Sequence, residues 1–252
     1  MSGLAITGTD PSQSASPRAA IAQAAQATGV DFDYLLAQAR LESGLNPQAR
    51  AATSSASGLY QFLGGTWLDT LRKHGAEHGL GWAAEAASDP SRRAEVMALR
   101  HDPQASALMA AELASDNRAA LSGALGREPD GAELYLAHFL GVQGATRMLS
   151  ALASDPDQSA AALLPSAAGA NRAIFYGAGG AARSVGEVIG LVRARFAAAS
   201  GDAGNLPFDY AAPVTATAAA SVPTGGPVAR EFHALAASPD APPRQSMAET
   251  LR

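Results

Sequence analysis

Apolar residues recur along most of this chain every three to four positions, and no run alternates as a half-buried strand would. The spacing predicts a first helix from Pro17 to about Thr28, capped by Ser16, begun by Pro17 and stopped by Gly29. A second helix is expected from about Asp31 to Ser43, and a third from Thr66 to His74 with Trp67, Leu68 and Leu71 apolar. Pro103 to Leu121 reads as a long Ala-rich helix with Leu108, Met109 and Leu113 as core candidates. Asp130–Phe139 and Gln143–Leu152 read as a helical pair around Gly141. Ser184–Ala198 closes the series with Val185, Val188, Ile189, Val192 and Phe196 at helical spacing. The expected fold class is mainly α, with no internal repeat.

One position breaks the apolar pattern. In the second helix Phe32, Leu35, Ala39 and Glu42 fall at i, i+3, i+7 and i+10 and share a face. Burial disfavours an ionised carboxylate, and a Glu kept protonated near neutral pH is what a general acid requires. A solvated end residue is the plain alternative, because Glu42 stands at the helix C-terminus and a polar, glycine-bearing loop follows.

Composition narrows the classes. The 252 residues allow one good core plus tails. Apolar content is 47%, much of it Ala, and a net charge of −5 gives no electrostatic case for nucleic acid or an anionic membrane surface. Basic residues are almost all Arg, with Lys73 the only Lys. With no cysteine, disulfides and thiolate metal sites are excluded. No apolar run approaches membrane-spanning length. The expected organisation is a flexible N-terminus (1–15), one domain (16–200) and an Ala/Pro-rich linker and tail (201–252). Within that tail Val228–Ala236 has helical character and is a candidate dock for a partner.

Other constellations carry less. His74 and His78 stand at i and i+4 with Glu77 between them, but Gly75, Gly79 and Gly81 argue against a stable helix there, and no metal is expected. Gly177–Ala182 mimics a dinucleotide fingerprint without the parallel strands one requires, so it reads as a turn, and no cofactor is expected. Tyr60, Trp67, Trp82 and Tyr176 are candidate sugar platforms, with core packing favoured for Trp67.

Three segments resemble the catalytic domain of Slt-type lytic transglycosylases, glycoside hydrolase family 23. They are Glu42-Ser43 followed by Asn46-Pro47, then Gly58-Leu59-Tyr60-Gln61, then Ala137-His138-Phe139-Leu140-Gly141. Tyr60 stands where the family has Met, and His138-Phe139 where it has Tyr-Asn. Asn171–Tyr176 lies where such domains carry a late Tyr. The likeness covers roughly Arg18 to Phe196 and implies a lysozyme-like fold.

The resemblance implies cleavage of peptidoglycan between N-acetylmuramic acid and N-acetylglucosamine. Glu42 would act as acid and then as base for the muramyl O6 hydroxyl, leaving a 1,6-anhydromuramyl end. Ser43 and Asn46 would hold the loop after the acid, and Ser54 or Ser55 would assist the acetamido group. Gly58 would let backbone approach sugar, Gln61 would hydrogen-bond the saccharide, and Tyr176 would orient Glu42. Tyr60 and His138 complete the expected substrate-binding set. Glycosidases usually flank the bond with two carboxyl groups. Here no second acid stands between Glu42 and Gln61, and Asp69 and Asp102 are the nearest alternatives. Two other readings stay open: a hydrolytic muramidase, and a non-catalytic peptidoglycan-binding or assembly protein.

The expected site of action is periplasm or cell wall. Residues 1–17 have no basic n-region or long apolar h-region, so they do not read as a signal peptide. Export through a flagellar or other secretion apparatus, or carriage on a phage-like particle, would then supply the route and a protein partner for the tail.

Overall fold

A hydrogen bond from Ala19 N–H to Ser16 Oγ (3.3 Å) and a left-handed Gly29 delimit the first helix, α1 (Pro17–Thr28), at the expected bounds. The computed structural model describes residues 16–52 and 54–201. The expected flexible N-terminus, residues 202–252 of the expected tail and the Val228–Ala236 patch lie outside the described residues.

Asp31 caps α2 (Phe32–Ser43), its Oδ1 accepting from Tyr34 N–H at 2.7 Å, and Gly44 ends it in the left-handed region. After an irregular loop come α3 (Gly64–His74), a 3₁₀ turn (Gly75–His78), α4 (Gly81–Ala86) and α5 (Arg93–Ala98). The long α6 (Pro103–Leu125) and α7 (Gly131–Ser154) follow, then the short α8 (Ala160–Leu163), α9 (Pro165–Ala170) and α10 (Arg172–Phe175). The helix α11 (Val185–Ser200) closes the series. The protein is mainly helical, and among the described residues β pairing is limited to isolated bridges such as Arg50–Ser57 and Ser57–Phe62. No helix among these residues is long and apolar enough to cross a membrane.

Several boundaries differ from expectation for local reasons. α3 begins two residues before Thr66, because Gly64 packs beneath Met97 and its N–H bonds Ser55 Oγ. α6 runs four residues past Leu121 until Gly126 turns left-handed. The helical pair from Asp130 is real but nearly fused. Gly141 breaks α7 with φ 71° and ψ 161°, a conformation essentially restricted to glycine. The Gly177–Ala182 stretch is a turn, its Gly177 N–H bonding Ala181 C=O.

α1 packs along α6, α6 along α7, and α11 against both α7 and α2. Ala105, Ala107, Ala110, Ala111 and Ala114 are buried on α6, and such small side chains let helices approach closely. Trp67, Tyr60, Phe175, Leu35, Met109 and Met148 are fully buried, each contributing roughly 1.5–3 kcal/mol relative to exposure. Tyr34, Tyr135 and Phe196 meet with centroids 5.8–5.9 Å apart and join α2, α7 and α11. Arg40 Nη1 adds a 2.6 Å bond to Ala199 C=O. The end of α2 is therefore held from two sides.

The N-terminus of α7 carries a capping box between Asp130 and Glu133. Burial alone would raise the Glu133 pKa, but hydrogen bonds from Arg127 and from Asp130 N–H, with the charges of Arg127 and Arg193, outweigh it and hold it below its usual value of 4.5. The Arg127 guanidinium meets both Glu133 oxygens, at 2.7 and 2.8 Å. A depressed folded pKa contributes stability above the unfolded pKa and loses it as pH falls through the folded one. Because the guanidinium is half exposed and Arg193 remains, Arg127→Ala costs about 1 kcal/mol near neutral pH. Urea unfolding across pH checks this: the gap from wild type closes as the pH drops below about 4.5, the ordinary Glu value.

Candidate active site

Glu42 ends the buried face of α2, below Leu35 and Ala39, and is 2% exposed. Its Oε1 receives the Tyr135 hydroxyl at 3.4 Å and faces His138 Nε2 at 3.3 Å. Tyr135 and His138 are one turn apart on α7, so one helix face presents both, and their rings stack at 5.9 Å. Burial and then the Glu42 charge push the Tyr135 hydroxyl well above its ordinary pKa, which keeps it a donor. Tyr34 Oη is raised by the same two causes, is buried, and has no hydrogen-bond partner among the described residues.

His138 connects this carboxyl to solvent. A cleft of about 100 Å³ is lined by Gln61, Phe62, Thr66, Asn117, His138 and Gly141, among others. Glu42 is not among its lining residues, whereas His138, whose Nε2 faces Glu42 Oε1, is. Two of the three sequence segments thus meet at the cleft, and Glu42 of the first meets His138 there. Among the described residues no carboxylate lines the cleft. Asp69 pairs with Arg72 at 2.7 Å on the surface, and Asp102 caps α6, so both alternative acids have structural tasks.

The loop from Leu45 to Leu63 is held by its own polar side chains. Ser43 Oγ donates to Leu59 C=O (2.7 Å) and accepts from Asn46 N–H (3.1 Å). Asn46 Oδ1 accepts from Gln48 N–H at 2.9 Å, so Ser43 and Asn46 tie the acid's helix to the loop. Ser54 Oγ accepts from Ala56 N–H, and Ser55 Oγ from Gly64 N–H. Gln61 sits in the left-handed region (φ 48°), where a non-glycine residue is uncommon. Its Nε2 donates to Ala49 and Gly58 carbonyls, which sets the amide orientation and leaves a buried Oε1 with no hydrogen-bond partner among the described residues.

Three expected roles change. Tyr60 is 1% exposed and donates to Leu35 C=O, so it is core and no sugar platform. Trp67 is likewise core, bonded to Val96 C=O, whereas Trp82 is exposed beneath the Arg92 guanidinium. The close neighbour at Gly58 (φ 84°) is protein: a Cβ there would lie 1.8 Å from Arg100 C=O. Tyr176 follows α10 with the Arg172 guanidinium 4.7 Å over its ring, and the hydroxyl that meets Glu42 is that of Tyr135.

Sequence reasoning missed four residues. Tyr135 was legible, at helical spacing from His138 and on the same predicted helix. Asn117, Arg100 and His101 carry no local signal. Arg100 is buried and donates to Ser55 and Phe62 carbonyls at 2.6 and 2.9 Å. His101 bridges Pro47 C=O and Ser57 Oγ at 3.0 and 2.9 Å. Together they clamp the loop from outside. No known protein-family model matches the chain.

Proposed function

We propose that this protein is a peptidoglycan lytic transglycosylase on a lysozyme-like fold, with Glu42 as its acid and then its base. The observation that carries this reading is a buried, hydrogen-bonded carboxyl against His138 of a cleft that no carboxylate among the described residues lines. The Glu-Ser, Gly-Leu-Tyr-Gln and Ala-His-Phe-Leu-Gly segments converge there, as one catalytic unit requires.

In this reading a rotation of His138 uncovers Glu42 to the glycosidic oxygen. Glu42 gives that oxygen its proton as the C1–O bond breaks, and the substrate's acetamido group stabilises the positive centre. The carboxylate then takes the proton of the muramyl O6 hydroxyl while O6 bonds C1, and no water is consumed. Gln61 lines the cleft, and its buried, unspent Oε1 meets a saccharide donor only once the surrounding side chains shift. Action on cell-wall glycan and delivery by a secretion or phage-like apparatus belong to the same proposal.

Mass spectrometry of products from purified sacculi tests the chemistry. Anhydromuropeptides are expected. Reducing ends, heavier by one water, would instead identify a hydrolytic muramidase, which needs a water-activating group opposite Glu42. The burial of Glu42 against His138 is the observation that favours a binding or assembly protein, and intact sacculi with bound protein would support that reading.

A further inference from the structure

Two histidines and three carboxylates, none of them lining the cleft, gather where the end of α3 and the following 3₁₀ turn pack on α6. His74 is 9% exposed. Its Nε2 lies 3.0 Å from Asp116 Oδ2, while Lys73 Nζ holds Asp116 Oδ1 at 2.7 Å. A carboxylate can only accept, so Nε2 carries a ring proton, and Nδ1 is left to hold either a second proton or a cation. That Nδ1 is buried and makes no hydrogen bond, although Glu112 Oε2 stands 3.3 Å away and Glu77 Oε2 4.0 Å away. A lone pair turned towards two carboxylate oxygens is repulsive unless something positive lies between them.

We propose that His74 Nδ1, Glu112 Oε2 and Glu77 Oε2 form a binding site for a zinc-class divalent cation. Ligand atoms about 2.1 Å from a tetrahedral ion stand roughly 3.4 Å apart. The His74–Glu112 separation already has that span, and Glu77, two-thirds exposed, closes the rest by a side-chain rotation. The three ligand groups lie within 4.8 Å of one another. The outer groups are those a metal site needs. Asp116 holds the far nitrogen of His74 and sets its tautomer, as a carboxylate behind a metal-bound histidine does. His78 Nε2 lies 2.6 Å from Glu112 Oε1, orienting that carboxylate and leaving Oε2 for the ion. Three carboxylates face one lysine, so a divalent ion completes the charge balance. One nitrogen and two oxygens suit Zn²⁺, Co²⁺ or Ni²⁺ over the hard cations, and water completes the fourth position.

Sequence reading had only the His74–Glu77–His78 spacing and rejected it for its glycines. The turn that those glycines permit is what brings Glu77 to His74, and Glu112 comes from a helix distant in sequence. The bound ion would staple α3 to the stretch of α6 whose Leu113 and Asn117 line the cleft.

The test uses the full chain, stripped with chelator and dialysed, then titrated with ZnCl₂ by calorimetry and melted with and without zinc. One ion per chain and a raised Tm are expected. Asp116→Asn should weaken binding about 10- to 100-fold, the range found when outer-shell partners are removed. Glu77→Gln, at an exposed position that leaves the fold intact, should weaken it at least about 10-fold by deleting a ligand. The proposal is overturned if wild type takes up no stoichiometric zinc, in which case a protonated His74 bridges the two carboxylates. It is equally overturned if both variants bind as wild type does, since the ion then lies elsewhere on the chain.

Discussion

Under the proposed mechanism, Glu42→Gln is expected to lower the rate of glycan cleavage by about 10²- to 10⁴-fold, the usual contribution of a positioned general acid, while binding to sacculi is unchanged. The substitution conserves volume at a site only 2% exposed, so no cavity forms. The amide oxygen still accepts from the Tyr135 hydroxyl, which burial keeps protonated. What is lost is the proton and the later basicity, so the effect falls on kcat and not on KM. A thermal melt separates chemistry from folding. An amide is cheaper to bury than a carboxylate, so Tm should hold or rise. A variant that cleaves as fast as wild type would remove Glu42 from the mechanism. Wild type and variant that both bind sacculi and cleave nothing would establish the binding or assembly reading, to which the burial of Glu42 against His138 already lends weight.

What the sequence revealed and what it hid follow from the range of the forces involved. Helix caps are local, so Ser16, Asp31 and Ser184 marked the starts of α1, α2 and α11 within a residue. Glu42 was legible because burial at i+10 of an apolar stripe is a property of one helix. The short α8, α9 and α10 left no periodic trace, since four to six residues cannot show a helical period and these segments form by packing Ala167, Ala168, Ile174 and Phe175 into the core. The surroundings of Glu42 were half legible. His138 was expected at the site, yet its contact with Glu42 depends on how α7 lies against α2. Tyr60 misled because an aromatic face suits a pyranose ring, whereas its hydroxyl is spent on Leu35 C=O within the core. Arg100 and His101 act on the loop between α2 and α3 from the stretch just before α6, and nothing in their own neighbourhood announces it.

Gly58→Ala should be the most damaging single methyl group near the site, and the reason is that clamp. Two costs add. The left-handed φ of 84° strains any L residue, by about 1–3 kcal/mol. The new Cβ would also lie 1.8 Å from Arg100 C=O and 2.7 Å from its carbonyl carbon, so backbone has to move. Overpacking of this kind costs about 1–3 kcal/mol more. Gly29→Ala is the matched control, for Gly29 has φ 72° with nothing within 4 Å of an added Cβ and therefore bears the conformational cost alone. Urea unfolding of the two variants isolates the collision as the difference between them. The displacement falls where Arg100 donates to Ser55 and Phe62 carbonyls and where Gln61 Nε2 donates to Gly58 C=O. Gln61, which lines the cleft, then loses the anchor that fixes its amide, so the proposed activity should fall beyond what the folded fraction accounts for. If Gly58→Ala were no less stable than Gly29→Ala, the loop would be free to yield, and the clamp could not be what shapes the cleft wall opposite His138.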